Sequence, residues 1–290
     1  MIKYASYAVA LKFFSLAPTF YHYVAQITGE RHRIKKGLPS GLLGQGKRFI
    51  AEGLVRDGDR VLEIGTGWSH WLSMCVKMFF DVELVCYDVR DNRQFNAFQR
   101  YMMDLRGRLG EFGQPEDRVR CAEARMGVIL GSKNFEEVYQ NLGIKYVTSL
   151  EGLEPFHLVM SNNVLEHVHR SLAPGLVGKI QKLLMTGGYS FHQWDMTDHL
   201  SKYDLNSHKK NYLRFSERTW RFIGNDVQYI NRMQRSEWLR VFKESGLELE
   251  KEQSLLECPI DGLTVHQEFS SLSKQDLSCG YLVMVHKKRA

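Results

Sequence analysis

The stretch Val61–Trp71, VLEIGTGWSHW, decides the fold. A short apolar run carries an acidic residue, Glu63, and breaks into two glycines, Gly65 and Gly67, separated by one residue. HWLSMCVKMFF then reads as a helix. A strand, a glycine turn and a helix in that order bring backbone close to a bound cofactor. Two chemistries compete for the turn. A dinucleotide asks for GxGxxG at the helix start, where a pyrophosphate sits on free amides. Here Gly67 is followed by Trp68, Ser69, His70 and Trp71, so the last glycine is missing. Glu63 suits instead an ammonium group near the turn. Asp88 ends the next apolar run, VELVCYDVR, where a carboxylate can take both hydroxyls of a ribose.

Working outward, KRFIAEGLV reads as a helix closed by the Asp57-Gly58 turn. FHLVMSNNVLEHV and GGYSFHQWDM read as later strands with the helix SLAPGLVGKIQKLL between them. TVHQEFSSL and GYLVMVHKK are expected to close the sheet as a pair that includes an antiparallel member. Strands alternating with helices predict a three-layer α/β fold with a mostly parallel sheet. The third strand has two candidates: DRVRCAEA, placing Ala122 and Glu123 by a nucleobase, and GIKYVTS, placing Val147 and Thr148 there. The short spacing to FHLVMSN favours GIKYVTS, which leaves 91–143 as a helical insertion. SEWLRVFKESGLELE is expected to be an amphipathic helix burying Trp238, Leu239 and Phe242.

The composition, 43% hydrophobic and 25% charged, is that of a folded domain. Five cysteines, at 75, 86, 121, 258 and 279, show no close metal spacing and point to a reducing, cytoplasmic setting. The net charge of +6 permits anionic partners without selecting one. No zinc finger or RNA-binding signature is present, so no nucleic-acid partner is expected. Residues 1–45 form a separate piece: an apolar, aromatic helical arm interrupted by Lys12, Pro18 and His22, followed by a basic loop in GERHRIKKGLPSG. Its apolar run is too short to span a bilayer, and no cleavage site marks a secretory signal. The arm is expected to pack on the core, with a peripheral contact to the inner membrane surface as the alternative.

VLEIGTGWSH, LVCYDVR, FHLVMSNNVLEHV and GGYSFHQWDMTDH together resemble the class I S-adenosylmethionine-dependent methyltransferases, in particular the small-molecule and glycan-modifying group with an LEH motif. The resemblance covers residues 48–200 and extends more loosely beyond. It implies a Rossmann-like fold with a seven-stranded, mostly parallel sheet, an N-terminal helical arm and helical insertions. The methyltransferase domain would run over 46–290, with an acceptor-side insertion at 200–245. It also implies S-adenosyl-L-methionine as cofactor and S-adenosyl-L-homocysteine as product. By the same resemblance Glu63, Gly65, Thr66 and Gly67 look like the loop holding the donor and Asp88 with Val89 like the ribose side. Thr148 and Ser149 then lie by the adenine, and Asn162 and Asn163 near the sulfonium. Ser69 stands where the common pattern has a third glycine.

The acceptor side is less specific. In VLEHVHR, Glu166 and His167 form either an acid–imidazole pair that holds the loop or, through His167, a contact to substrate. HQWDMTDHLSKYD gathers His192, Asp195, Asp198, His199 and Asp204 where the fifth strand leaves the core. Their spacing matches no specific metal motif, and no metal is expected. A neutral histidine takes a proton from a hydroxyl when a carboxylate orients its other nitrogen, so His192 or His199 is expected to be the general base, with Asp195 or Asp198 as the orienting carboxylate. Arg214, Arg218, Arg221, Arg232 and Arg235, interleaved with Tyr212, Trp220, Phe222 and Tyr229, suggest a bowl for an anionic or lipid-linked sugar. The leading expectation is O-methylation of a small-molecule or sugar hydroxyl. The alternatives are N- or C-methylation, a macromolecular acceptor, a binding protein without catalysis, and a nucleotide oxidoreductase.

Overall fold

The structure, a computed structural model, describes residues 2–204, 206–225 and 229–289. The described elements are α1 (Ile2–Phe14), α2 (Pro18–Lys36), α3 (Ser40–Ala51), β1 (Arg60–Ile64), α4 (Trp71–Phe79), β2 (Glu83–Tyr87), α5 (Phe95–Arg106), α6 (Glu116–Gly131), α7 (Phe135–Leu142), β3 (Ile144–Val147) and β4 (Phe156–Asn162). They continue with α8 (Ala173–Leu183), β5 (Leu184–Asp195), α9 (Glu217–Ile223), α10 (Arg235–Glu244), β6 (Leu247–Glu257), α11 (Lys274–Ser278) and β7 (Cys279–Lys288). The seven strands form one sheet in the order β3-β2-β1-β4-β5-β7-β6. β1 runs parallel to both β2 and β4, and β2 parallel to β3. β6 is antiparallel to β7. Among the described residues no helix is long and apolar enough to cross a membrane.

Contacts divide the chain into two compact units, one of residues 25–162 and 183–189, the other of 1–24, 163–182 and 190–290. In the former, Val61, Leu62, Glu63 and Ile64 of β1 are all buried, as a strand covered on both faces requires. α4 is buried along its whole length, which explains its nearly unbroken apolar sequence. IKYV forms β3, while DRVRCAEA lies inside α6, a helix that turns Ala122, Met126 and Ile129 inward. α7 starts on an Asn134 side chain that accepts from the Glu137 amide and stops at Gly143 in the left-handed region. Residues 91–143 carry α5, a 3-10 turn at Leu109–Phe112, α6 and α7.

Two local expectations are corrected. TVHQEFSSL is not a strand: it contains a 3-10 turn at Gln267–Phe269, and the partner of β7 is β6. The sequence LELEKEQSLLE hides β6 because it is a sheet edge, where charged side chains are the usual guard against further pairing. The basic run at 31–36 is not a loop but the end of α2, where Arg33, Lys35 and Lys36 oppose the negative end of the helix dipole.

In the other unit, Tyr4, Ala8 and Leu11 of α1 pack with Leu213, Trp220 and Phe269. His192 and Trp194, two apart on β5, point to one face of the strand. There Trp194 meets Trp238 edge-on at 5.5 Å, and the His192 ring lies 5.4 Å from Phe242. Trp238 and Phe242 are fully buried, as expected of this helix, and Leu239 is half-buried. Trp238→Ala should destabilise the protein by about 3–5 kcal/mol, read as a lower urea midpoint at unchanged slope.

Candidate active site

β1 ends at Ile64 and the chain reverses through Gly65 at φ 68 and Gly67 at φ 65, a conformation that favours glycine. The Gly65 and Thr66 amides donate to the Tyr87 carbonyl at 2.8 and 3.1 Å, and the Gly67 amide donates to Asp88 Oδ2 at 2.9 Å. The turn is thus sewn to the end of β2. A Cβ at Gly67 would meet nothing nearer than 3.9 Å, so this side of the turn is open to a ligand lying against the backbone. An open glycine turn beside a carboxylate at a strand end fits an adenosyl donor.

Glu63 braces this turn from beneath. Its Oε2 accepts from the Thr66 hydroxyl at 3.1 Å and the Ser73 amide at 3.0 Å, and the residue is only 2% exposed. The expected contact between Glu63 and an ammonium group gives way to this internal role. Burial pushes its pKa up to about 7 against the pull of those hydrogen bonds. Thr66 Oγ1 also lies 2.6 Å from His70 Nδ1, and His70 Nε2 lies 2.5 Å from the Tyr139 hydroxyl. His70 is completely buried at φ 49, and burial drives its pKa down to about 3, so the ring is neutral. No sequence signal marks Tyr139 as a member of this chain, because only folding brings it to His70, 69 residues away.

The other residues expected on the donor side spread along the strand ends. Asp88 is buried, which raises its pKa, while the Gly67 and Arg90 amides partly offset that shift. Val89 is exposed, as are Thr148 and Ser149 just past β3, with Ser149 Oγ accepting from the Glu151 amide. Asn162 donates through Nδ2 to Gln45 Oε1 at 3.0 Å. Arg33 lies 4.5 Å over the Trp68 ring and donates to Gln94 Oε1 at 2.8 Å, a rim that the sequence did not announce.

In the unit of residues 163–182 and 190–290, the LEH segment forms a 3-10 turn at Leu165–His167. Asn163 stands before it at φ 54, its Oδ1 accepting from the Tyr281 hydroxyl at 3.3 Å. Asn231 donates to the Leu165 and Val168 carbonyls at 2.6 and 3.0 Å and fixes the turn. Glu166 is 2% exposed; its Oε1 accepts from the Asp195 amide at 3.4 Å, and its Oε2 accepts no hydrogen bond among the described residues. Burial raises its pKa to about 8. His167, with 42% of its side chain exposed, sets Nδ1 2.7 Å from the Tyr229 carbonyl and Nε2 4.0 Å from Glu166 Oε1. His199 completes the group: one ligating atom each from Glu166, His167 and His199 lies within 4.8 Å of the others.

Asp195 faces His199, with Oδ2 3.5 Å from His199 Nε2. Burial acts to raise the Asp195 pKa, but the His199 imidazole at 3.5 Å, the Lys202 charge at 3.0 Å and the hydrogen bonds from Thr197 outweigh it and hold the carboxyl well below the usual range. His199 lines a cavity of about 660 Å³ together with Arg170, Trp220, Arg221 and Tyr229. His192 does not: it is sealed under Phe242, and burial pushes its pKa to about 3. Asp198, although beside His199, turns its Oδ2 to the Tyr4 hydroxyl at 2.6 Å, and Asp204 accepts from the Tyr4 amide at 3.4 Å. Of the expected arginine bowl, Arg232 is spent on the Tyr212 and Phe215 carbonyls and Glu217, and Arg235 on Glu252 and Asp276. Arg221, Trp220 and Tyr229 remain at the cavity, joined by Arg170.

A family model described as a methyltransferase domain matches residues 34–252. No curated protein matches the sequence significantly. Among solved structures, a TehB-like SAM-dependent methyltransferase from Corynebacterium glutamicum is 14% identical, over 84% of this chain and 88% of its own, at a TM-score of 0.42. Phosphoethanolamine N-methyltransferase 2 of Haemonchus contortus, in complex with S-adenosyl-L-methionine, is 13% identical over 84% of this chain and 52% of its own, with a TM-score of 0.47. The N-methyltransferase NodS from Bradyrhizobium japonicum is 10% identical over 87% and 99%, with a TM-score of 0.42.

Because Glu63 is held neutral in the folded state to about pH 7, against an ordinary value of 4.5, its share of stability is complete below pH 4.5 and is lost as pH rises through about 7. Glu63→Gln, uncharged throughout, should therefore gain in melting temperature relative to the parent at pH 8 compared with pH 5; an equal difference at both values would contradict the neutral brace.

Proposed function

Because the chain belongs to the methyltransferase-domain family and is an S-adenosyl-L-methionine-dependent enzyme, we propose that it methylates a hydroxyl oxygen of a small molecule or sugar. Gly65, Gly67 and Asp88 would hold the donor, with Glu63 and Thr66 keeping the turn in shape and Val89, Thr148, Ser149, Asn162 and Asn163 bordering it. The donor, when bound, supplies an electrophilic methyl group, the acceptor lone pair forming the new O–C bond as the S–C electron pair returns to sulfur.

The protein's own part is to orient the acceptor, exclude water and receive the hydroxyl proton. The observation that carries the reading is His199 on the cavity wall, with Asp195 3.5 Å from its Nε2 and Glu166 and His167 beside it, while His192 is sealed in the core. Trp220 and Tyr229 offer faces for the C–H surface of a sugar, and Arg170 and Arg221, exposed though paired with Glu237 and Glu217, offer charge to an anionic group. A nearly apolar groove of about 430 Å³, lined by Ala8, Phe13 and Phe222, shares Lys12 with the polar cavity. That pairing supports an acceptor with a polar head and an apolar tail, and the exposed Phe13 and Leu16 of the same arm support contact with a membrane surface.

The test is transfer of labelled methyl from the donor to a panel of hydroxyl and amine acceptors, sugar glycolipids included, with the product bond identified by mass spectrometry; label on nitrogen alone would overturn the hydroxyl reading. His199→Ala should lower kcat by about 10²–10⁴ while S-adenosylhomocysteine affinity, read by calorimetry, stays within about twofold. Asp88→Ala should do the reverse, weakening the nucleotide by at least about tenfold, the loss of one charge-assisted hydrogen-bonding partner.

A further inference from the structure

We propose that Glu166, His167 and His199 form a binding site for one divalent transition-metal ion. Two imidazoles and one carboxylate are the donor set of open metal sites that keep positions for an exogenous oxygen. Their ligating atoms already lie within 4.8 Å of one another, although Glu166 and His167 come from the turn after β4 and His199 from the loop after β5.

Glu166 supplies an independent sign. It is fully enclosed, its Oε2 accepts no hydrogen bond among the described residues, and the group nearest in charge is another carboxylate, Asp195. A carboxyl buried in this way is costly unless a cation or donor meets it. His167 is posed as a ligand as well: its Nδ1 lies 2.7 Å from the Tyr229 carbonyl, the bond that fixes a ring as an Nδ1–H donor and leaves the Nε2 lone pair facing Glu166. Asp195, held by Thr197 and Lys202, stands next to His199 and gives the second layer a negative charge that partly balances an incoming dication. The cation that faces the cluster among the described residues is Lys202, and it is already paired with Asp195.

The ion's role rests on the reading of the adjoining cavity as an acceptor site. A hydroxyl entering an open coordination position becomes more acidic. With an ion bound, His199 serves as a ligand instead of as the base, and the hydroxyl proton passes to the neighbouring Asp195 carboxylate while the oxygen forms the bond to the donor methyl and the S–C electron pair stays on sulfur. The nitrogen and oxygen donors favour manganese, iron, nickel or zinc over calcium.

Electron paramagnetic resonance of Mn²⁺ titrated into the full-length protein tests the site. One Mn²⁺ per chain is expected, with Glu166→Gln and His199→Gln each weakening it at least tenfold while S-adenosylhomocysteine affinity is retained as proof of folding. Mn²⁺ that does not bind below millimolar concentration, or that binds both variants as tightly as the parent, would overturn the proposal. The methyl-transfer panel, run with and without Mn²⁺, separates the two readings: a saturable Mn²⁺ site lost in both variants, with label on nitrogen only, sustains the metal site and removes the hydroxyl acceptor.

Discussion

The hydrogen bonds from Thr66 and Ser73 to the Glu63 carboxyl are the constraint on which the donor side depends. Two left-handed glycines so close together make a soft turn, because glycine gives up more conformational freedom on folding than any other residue. Here the turn is fixed from three directions: the Tyr87 carbonyl takes two of its amides, Asp88 takes a third, and the chain from Glu63 through Thr66 and His70 to Tyr139 holds it from below. Placing an acid at the bottom of this arrangement has an electrostatic price that the neutral form avoids. A rigid turn with one open side is the outcome, and it allows a ligand to be recognised by backbone shape.

Much of this is legible in the residues. Continuous apolar runs identify β1, β2 and β4, and the glycine pair with Asp88 marks the turn that the structure leaves open on one side, because those features are local. The choice of GIKYV over DRVRCAEA for the third strand follows from spacing and agrees with β3. β6 escapes such a reading because the charges of an edge strand erase the apolar alternation on which strand reading relies. Glu63 reads as a ligand contact because sequence gives a carboxylate's position along a strand but not which way its bonds go. The same blindness joins His192 and His199 as equal candidates, although strand alternation buries the first with Trp194 and the loop presents the second to a cavity.

The acceptor side shows how few polar residues in a polar-looking segment are available to a ligand. Arg232, Asn231, Lys210 and Asp198 are all buried and committed: Lys210, for instance, donates to the Met196 and Cys279 carbonyls, and burial lowers its pKa to about 8. They hold irregular backbone together where no helix or strand satisfies it. Removing such internal ties from the count leaves the cluster of Glu166, His167, Asp195 and His199, with the aromatic and arginine wall near it. The polar groups left over for the proposed chemistry sit at two loop ends.

Tyr4 ties the first helix to the loop that carries the candidate base. Its hydroxyl is bonded to Asp198, the residue immediately before His199, and its amide to Asp204 a few residues farther on. Histidine placement therefore depends on a helix nearly two hundred positions away in the chain. For anyone handling the protein, this makes α1 a poor place to insert a tag or trim the chain: a preparation altered there can keep its glycine turn intact and still lose the proposed base.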